Sequence, residues 1–304
     1  MNVLLTGASG YVGSHIHRGL APDHVVTTVG RQPLGHRHIS CNLAAEVPDL
    51  SGQYIDYVVH AAGKAHSVPR RRRELAEYEQ VNVQGTARLL ASLDRLPTLP
   101  QAIVHISTVL VYGRDEGYWL TEDTALQDNG VYGLSKIKAE TLVREWAQRT
   151  GVRAAILRLP LVVAEEPTGN MAALMTAIRR GYYVRLGDGA ARRSMVRADD
   201  LATIIPRAAA IGGVFNLTDG HHPSLRELDE MITQYVGRTR VKAVPTGLAK
   251  AVARAGDGVN ALIGRKFPLD SVALRKLTSS LTFSDQAARQ RLNWNPRPVL
   301  DLFV

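Results

Sequence analysis

The first apolar run, Val3-Leu4-Leu5, ends in Thr6-Gly-Ala-Ser-Gly-Tyr-Val-Gly13, with glycine at every third position. A chain leaving a parallel strand for a helix must turn sharply, and Gly7 supplies the backbone angles for that turn. Gly10 lets the phosphates of a ligand approach the backbone where a Cβ would intrude. Gly13 lets the helix pack closely on the strand. The helix start that follows offers unpaired N–H groups and the positive dipole end to a pyrophosphate. This pattern, between a first strand and a first helix, predicts a dinucleotide site at the first βα turn.

The rest of the chain fits that architecture. Val25–Val29, Tyr54–Ala61, Ala102–Ser107 and Val152–Leu159 read as strands, and Tyr11–Leu20, Glu74–Leu93 and Leu134–Arg149 as helices, the last with Glu140 and Arg144 paired at i,i+4. Strands alternating with helices predict a Rossmann-type, doubly wound parallel α/β sheet. After Pro160 the rhythm changes. A helix over Met171–Arg180, a Gly187-Asp188-Gly189 turn, a helix opening at Asp199-Asp200, and a strand over Val214–Leu217 follow. Ser284 reads as the N-cap of a last helix. Residues 1–158, with 196–220 returning, are assigned to the dinucleotide-binding domain. Residues 159–195 and 221–304 form a smaller mixed α/β substrate-binding lobe. Asp199 and Asp200 read as an N-cap and first-turn acid. Leu248–Ile263 carries Leu248, Val252, Ala255, Val259 and Leu262 at helical spacing. Such a face can pack on the protein or lie on a membrane surface, and packing on the protein is the expectation.

The 304-residue chain carries a net charge of +9, which favours anionic partners. Its one dense basic cluster, Arg70–Arg73, stands beside Glu74, Glu77 and Glu79 and reads as a solvated helix start. No aromatic residues interleave with it to form a nucleic-acid stacking platform, so no nucleic-acid partner is expected. No apolar run is long enough to span a membrane. The single cysteine, Cys41, excludes an internal disulfide and makes the cytoplasm the expected location. The ten histidines show no metal-ligand spacing, and no metal is expected.

Further landmarks follow the glycine turn in order: His60-Ala-Ala-Gly63, Val81-Asn-Val-Gln-Gly-Thr86, Ser107-Thr-Val-Leu-Val-Tyr-Gly113, Tyr132-Gly-Leu-Ser-Lys136, Arg158-Leu-Pro160, Arg192–Ala202 and Leu292-Asn-Trp-Asn-Pro296. Together they resemble the extended short-chain dehydrogenase/reductase superfamily of nucleotide-sugar epimerases, dehydratases and reductases, over essentially the whole chain. Tyr132 and Lys136 are four apart and share a helix face. A phenol beside an ammonium and an oxidised nicotinamide would be lowered toward neutrality and could exchange a proton with a sugar hydroxyl or ketone. The resemblance implies that Lys136 holds the nicotinamide ribose and that Thr108, with Ser107 second, hydrogen-bonds the reacting oxygen. For Ser107 a strand-end hydroxyl bonded to backbone is an equal reading. The resemblance further implies cofactor contacts at Gly7, Ser9, Gly10, Tyr11, Val12, Gly13, Asn42, Leu43, His60, Ala61, Ala62, Gly63, Lys64, Asn82, Leu159 and Pro160. Substrate contacts are implied at Asn170, Arg193 and Arg275, the two arginines facing phosphate.

Two departures refine this reading. Sugar dehydratases of the group place an Asp-Glu pair after the threonine, and this chain has Val109 and Leu110, which cannot carry out the elimination. The second strand ends in Val-Gly-Arg31, without the carboxylate that holds the adenosine ribose in NAD-preferring relatives, so Arg31 favours NADP(H), with NAD(H) as the alternative. The closest likeness is to bacterial enzymes of UDP-linked N-acetylated sugars in surface-polysaccharide synthesis. The expected activity is reduction of a C4 ketone, with a 4-epimerase retaining NAD as the alternative. A non-catalytic NADP sensor or RNA-binding module would have no use for Tyr132, Lys136 and Thr108. Relatives dimerise through two helices per subunit, which implies a homodimer through Glu74–Leu93 and Leu134–Arg149.

Overall fold

The computed structural model describes residues 1–64, 72–127, 130–263 and 270–304. Seven parallel strands form the central sheet. Its order is Gly213–Asn216, Arg153–Leu159, Ala102–Thr108, Tyr57–His60, Asn2–Thr6, Val25–Gly30, His38–Ser40. The first strand is therefore central, and the strand order reverses beside it, which opens a crevice at the carboxyl ends of the strands. The three-residue strand His38–Ser40, lacking a run of β-branched residues, was not evident from the pattern.

Both faces of the sheet are covered. On one face, Val3, Leu5, Val59, Val104 and Leu157 pack with Ile16 and Leu20 of the first helix and with Leu201, Ile205 and Ala208 of the helix Leu201–Ile211. On the other, Leu4, Val58 and Ile103 meet Leu89 and Leu93 of the helix Gly85–Leu93 and Val143 and Trp146 of the helix Val131–Thr150. Strands buried on both faces read as continuous apolar runs for this reason. The segment read as one helix over Glu74–Leu93 consists of an α-helix Arg72–Tyr78, a π-helical stretch Glu79–Gln84 and the helix Gly85–Leu93. Arg70 and Arg71 lie outside the described residues.

The smaller lobe gathers around Met171, Met175 and Ile178 of the helix Gly169–Arg180, together with Leu228, Ile232 and Phe303. The sequence boundary at residue 221 places the last helix in this lobe. Its packing differs, because Ala288, Leu292 and Trp294 join the core beneath the sheet, and the Trp294 indole donates to the Thr218 carbonyl at 2.8 Å. That helix spans Gln286–Leu292 with Asp285, not Ser284, at its N-cap. Asp199 and Asp200 stand at a helix start, as read: both lie in the turn Ala198–Asp200, and Asp200 is the N-cap residue of the helix Leu201–Ile211. Asp199 pairs with His15, and Asp200 accepts bonds from the Arg297 backbone and guanidinium. The Asp200 side chain makes no cap bond there, and both acids tie distant segments together.

Candidate active site

The site is built along the carboxyl ends of the central strands. At the first turn Gly7 has φ +73°, and a Cβ there would lie 2.5 Å from the Ala62 nitrogen. At Gly13 a Cβ would meet the Gly7 carbonyl oxygen at 2.1 Å. Both glycines are thus required by the backbone itself. Gly10 is different: its Cβ would meet only the Gly7 oxygen, at 3.2 Å, so that side of the turn lies open beside the start of the helix Tyr11–Leu20. This is a cradle that a side chain would fill and a pyrophosphate suits, so the residues present fit a dinucleotide.

The floor of the site is a chain of buried polar groups. Thr86 donates to the Asn82 carbonyl at 2.6 Å, so its oxygen accepts from His60 Nε2, 2.8 Å away. His60 Nδ1 then accepts from the Thr6 hydroxyl at 2.7 Å, and Thr6 in turn accepts from the Ala62 N–H. This order fixes the His60 tautomer. Burial, with Lys136 nearby, pushes the His60 imidazole down to about 3, so the ring is neutral. Asn82 holds the loop above by accepting from the Lys64 N–H at 2.7 Å and donating to Ser135. Lys64 itself pairs with Glu77 and lies over the Tyr78 ring.

Tyr132 and Lys136 stand on the first two turns of the helix Val131–Thr150, whose start packs against the strand bearing Thr108. The Tyr132 and Thr108 hydroxyls are hydrogen-bonded, and the Tyr132 ring lies 5.8 Å from that of Tyr78. Lys136 is buried; its ammonium donates to the Ile106 carbonyl at 2.7 Å and to His105 Nε2 at 3.2 Å. Burial lowers Lys136 to about 8, with Glu140 opposing. The expected lowering of Tyr132 differs from what the chain's own groups produce. Burial pushes the phenol up to about 12, partly offset by the bond from Thr108, because the Lys136 ammonium is directed at a carbonyl and an imidazole.

Ser107 and Thr108 face opposite ways, as successive strand residues must. Ser107 donates to Glu140 at 2.6 Å, inside a buried cluster in which Arg158 also bonds both Glu140 oxygens and the Tyr112 hydroxyl. The Ser107 hydroxyl is thus bonded to a side-chain carboxylate, where the plain strand-end reading had it bonded to backbone. The spacing of 132, 136 and 140 on one helix face carried a signal for Glu140 as an inward residue, and pairing it with Arg144 alone missed its buried partners. His105, two residues before Ser107 and on the same strand face, was also missed.

Of the outer contacts, Arg31 is exposed at the end of the second strand and makes no ion pair among the described residues. Asn42 accepts from the Ala44 N–H, and Leu43 is buried. Leu159 lies in register with Thr108 at the sheet's edge, just before Pro160. Asn170 is exposed in the first turn of the helix Gly169–Arg180. Arg193 and Arg275 lie on neighbouring segments. The Arg193 guanidinium donates to the carbonyls of Lys276 and Ser279 at the end of the helix Ser271–Thr278, while Arg275 on that helix is exposed. Arg193 must exchange those carbonyls for phosphate to act as the resemblance implies. Among the described residues no group of acids, histidines and cysteines gathers as a metal site.

Fold and site together define a dinucleotide-binding oxidoreductase of the doubly wound class. The profile of the NAD dependent epimerase/dehydratase family matches residues 3–217, and the chain belongs to that family of NAD(P)-dependent enzymes, within the extended short-chain dehydrogenase/reductases. It is 26% identical to a UDP-glucose 4-epimerase of Vibrio cholerae, over 98% of this chain and 92% of that protein. It is 26% identical to a GDP-6-deoxy-D-mannose reductase of Pseudomonas aeruginosa, over 76% of this chain and 78% of the relative. The fold is shared with MoeE5, solved in complex with UDP-glucose and NAD, at a TM-score of 0.76 and 23% identity, covering 100% of this chain and 96% of that one.

Proposed function

We propose that this protein reduces the C4 ketone of a nucleotide-linked sugar, with NADP(H) as the dinucleotide and a UDP-linked N-acetylated sugar, of the kind used in surface polysaccharides, as substrate. The observation that carries the reading is the Tyr132–Thr108 hydroxyl pair, beside Lys136 and on the same sheet edge as the open Gly10 cradle. A bound reduced nicotinamide supplies the hydride. Tyr132 Oη gives its proton to the C4 oxygen as charge develops there, and Thr108 Oγ shares that hydrogen bond. Lys136, positively charged below about pH 8, would have to turn from the Ile106 carbonyl and His105 to hold the nicotinamide ribose and stabilise the phenolate left behind. Gly7, Gly10 and Gly13 hold the pyrophosphate, and Arg31 fits a 2′-phosphate by its charge and exposure. Asn170, Arg193 and Arg275 are the candidate contacts of the sugar nucleotide. Val109 and Leu110 place no carboxylate beside Thr108, which argues against dehydration.

The likeness to the Vibrio cholerae epimerase over nearly the full length of both chains favours a second reading, C4 epimerisation with retained cofactor. One experiment separates the two. The protein is incubated with UDP- and dTDP-linked 4-keto sugars and NADPH or NADH, with absorbance and product analysis. Stoichiometric NADPH consumption with one C4 alcohol supports the reductase. Interconversion of C4 epimers without net consumption supports the epimerase. Tyr132→Phe should lower either turnover by about 10²- to 10⁴-fold while dinucleotide binding persists; unchanged turnover overturns both.

A further inference from the structure

The helix Thr246–Ile263 presents the reverse of the face expected from its pattern. Its packing against the lobe uses small residues: Ala249, Ala253 and Gly256 are buried, the first two against Leu274. The larger apolar stripe points outward, with Leu248 56%, Val252 41% and Val259 36% exposed. Ala255, on the same stripe, is exposed too, while Leu262 lies beyond the side chains described. On the adjoining helix Ser271–Thr278, Val272 and Leu277 are also exposed. The stripe predicted to seal this helix onto the protein is therefore uncovered.

The charge around it is as uneven. Residues 238–278 hold nine basic residues (Arg238, Arg240, Lys242, Lys250, Arg254, Arg265, Lys266, Arg275 and Lys276) against two acids, Asp257 and Asp270. That is +7 of the chain's +9 in 41 of its 304 residues. Both acids accept bonds from neighbouring groups of the protein. Asp257 accepts from the backbone and hydroxyl of Ser271, and Asp270 caps the helix Ser271–Thr278 through the Ala273 N–H. Lys250 and Arg254 occupy the other exposed flank of the helix Thr246–Ile263. Arg238, Arg240 and Lys242 line an open cleft of about 300 Å³ just before it.

We propose that this face docks the protein on an anionic phospholipid surface, the helix Thr246–Ile263 lying in the headgroup region with Leu248, Val252 and Val259 inserted and Lys250, Arg254, Arg240 and Lys242 on the phosphates. Aliphatic residues on one flank and basic residues on the other form the pattern of an interfacial helix. No helix of the described residues is long and apolar enough to cross a membrane, so this helix lies on the surface. A second copy of the chain is the weaker occupant, because a two-fold contact would set two +7 segments against each other. Nucleic acid would leave the aliphatic stripe without a partner.

The test uses the full chain in co-sedimentation with vesicles of phosphatidylcholine alone or with about one-third phosphatidylglycerol. The bound fraction should rise at least about tenfold with the anionic lipid and fall away near 0.5 M salt. Leu248→Ser/Val252→Ser/Val259→Ser and, separately, Lys250→Glu/Arg254→Glu should each reduce that binding about tenfold while turnover on a soluble substrate is unchanged. Equal binding to both vesicle types, or a stripe variant that binds as the unaltered protein does, overturns the proposal. So does light scattering that shows the stripe variant dissociating a lipid-free dimer.

Discussion

One turn of the helix Val131–Thr150 separates two buried polar clusters built on opposite principles. Around Glu140 each charge has its counter-charge. Arg158 bonds both carboxylate oxygens, Ser107 and Arg144 add to them, and Tyr112 and Asn216 complete the Arg158 side. Around Lys136 the groups are Lys136, His105 and His60. The ammonium has a carbonyl and an imidazole as partners, and His105 Nδ1 is buried with no hydrogen-bond partner among the described residues. Burial answers this excess of basic groups by stripping protons, holding both imidazoles neutral and Lys136 near 8. A satisfied ion pair fixes the strand Arg153–Leu159 against the helix, and the Ser107 hydroxyl adds the strand Ala102–Thr108. An unbalanced cluster keeps one group, Lys136, close to its titration point.

The contrast breaks or holds on four measurements. Glu140→Ala leaves Arg158 buried without its anion and should destabilise the protein by about 3–5 kcal/mol in urea unfolding. Arg158→Met added to it should recover part of that loss. Lys136→Met should do the reverse, lowering turnover by about 10²-fold or more with no loss of stability at pH 7. A loss as large as that of Glu140→Ala would erase the distinction.

The pH dependence sharpens the same point. Lys136 falls from its ordinary 10.5 to about 8, so between pH 8 and 10.5 the unfolded chain binds the extra proton and stability rises with pH through that window. By linkage the rise is about 3 kcal/mol, and Lys136→Met should remove it in unfolding curves at pH 8 and 10. His60, down from 6.5 to about 3, acts in the acid range: stability declines as pH falls from 6.5 towards 3, a loss that His105 deepens. The smallest effect is expected of Ser107→Ala, which removes one bond to a charged acceptor, worth about 1.5–3 kcal/mol at most, and should leave turnover within about threefold. A drop comparable to that of Tyr132→Phe would restore Ser107 to the reacting oxygen.

The sheet and its cradle were legible because their determinants are local. Glycine spacing states which backbone atoms must touch, and β-branched runs mark strands. Tyr132, Lys136 and Glu140 were readable as one face from their spacing. What could not be read was direction. Strand alternation puts Ser107 and Thr108 on opposite faces but does not say which faces the reactants. Nothing in the sequence sends Lys136 to the Ile106 carbonyl, or places His105 beneath it. Periodicity likewise revealed a stripe on the helix Thr246–Ile263 without revealing which side meets the lobe. Close packing favoured Ala249, Ala253 and Gly256 there, and the side with the smallest residues won. Asp199 and Asp200 were read at a helix start, but their side-chain partners, His15 and Arg297, are far away in sequence and left no local signal.

The return of Trp294 and its helix to the underside of the sheet bears on biosynthesis. A ribosome that has released the glycine turn, the tyrosine and the lysine has not yet released Ala288, Leu292 or Trp294, which close the same core. The nucleotide-holding half therefore cannot finish maturing as a nascent N-terminal unit, and messages or proteases that cut the product short of residue 294 would yield a polypeptide with Gly7, Tyr132 and Lys136 in place over an unsealed interior.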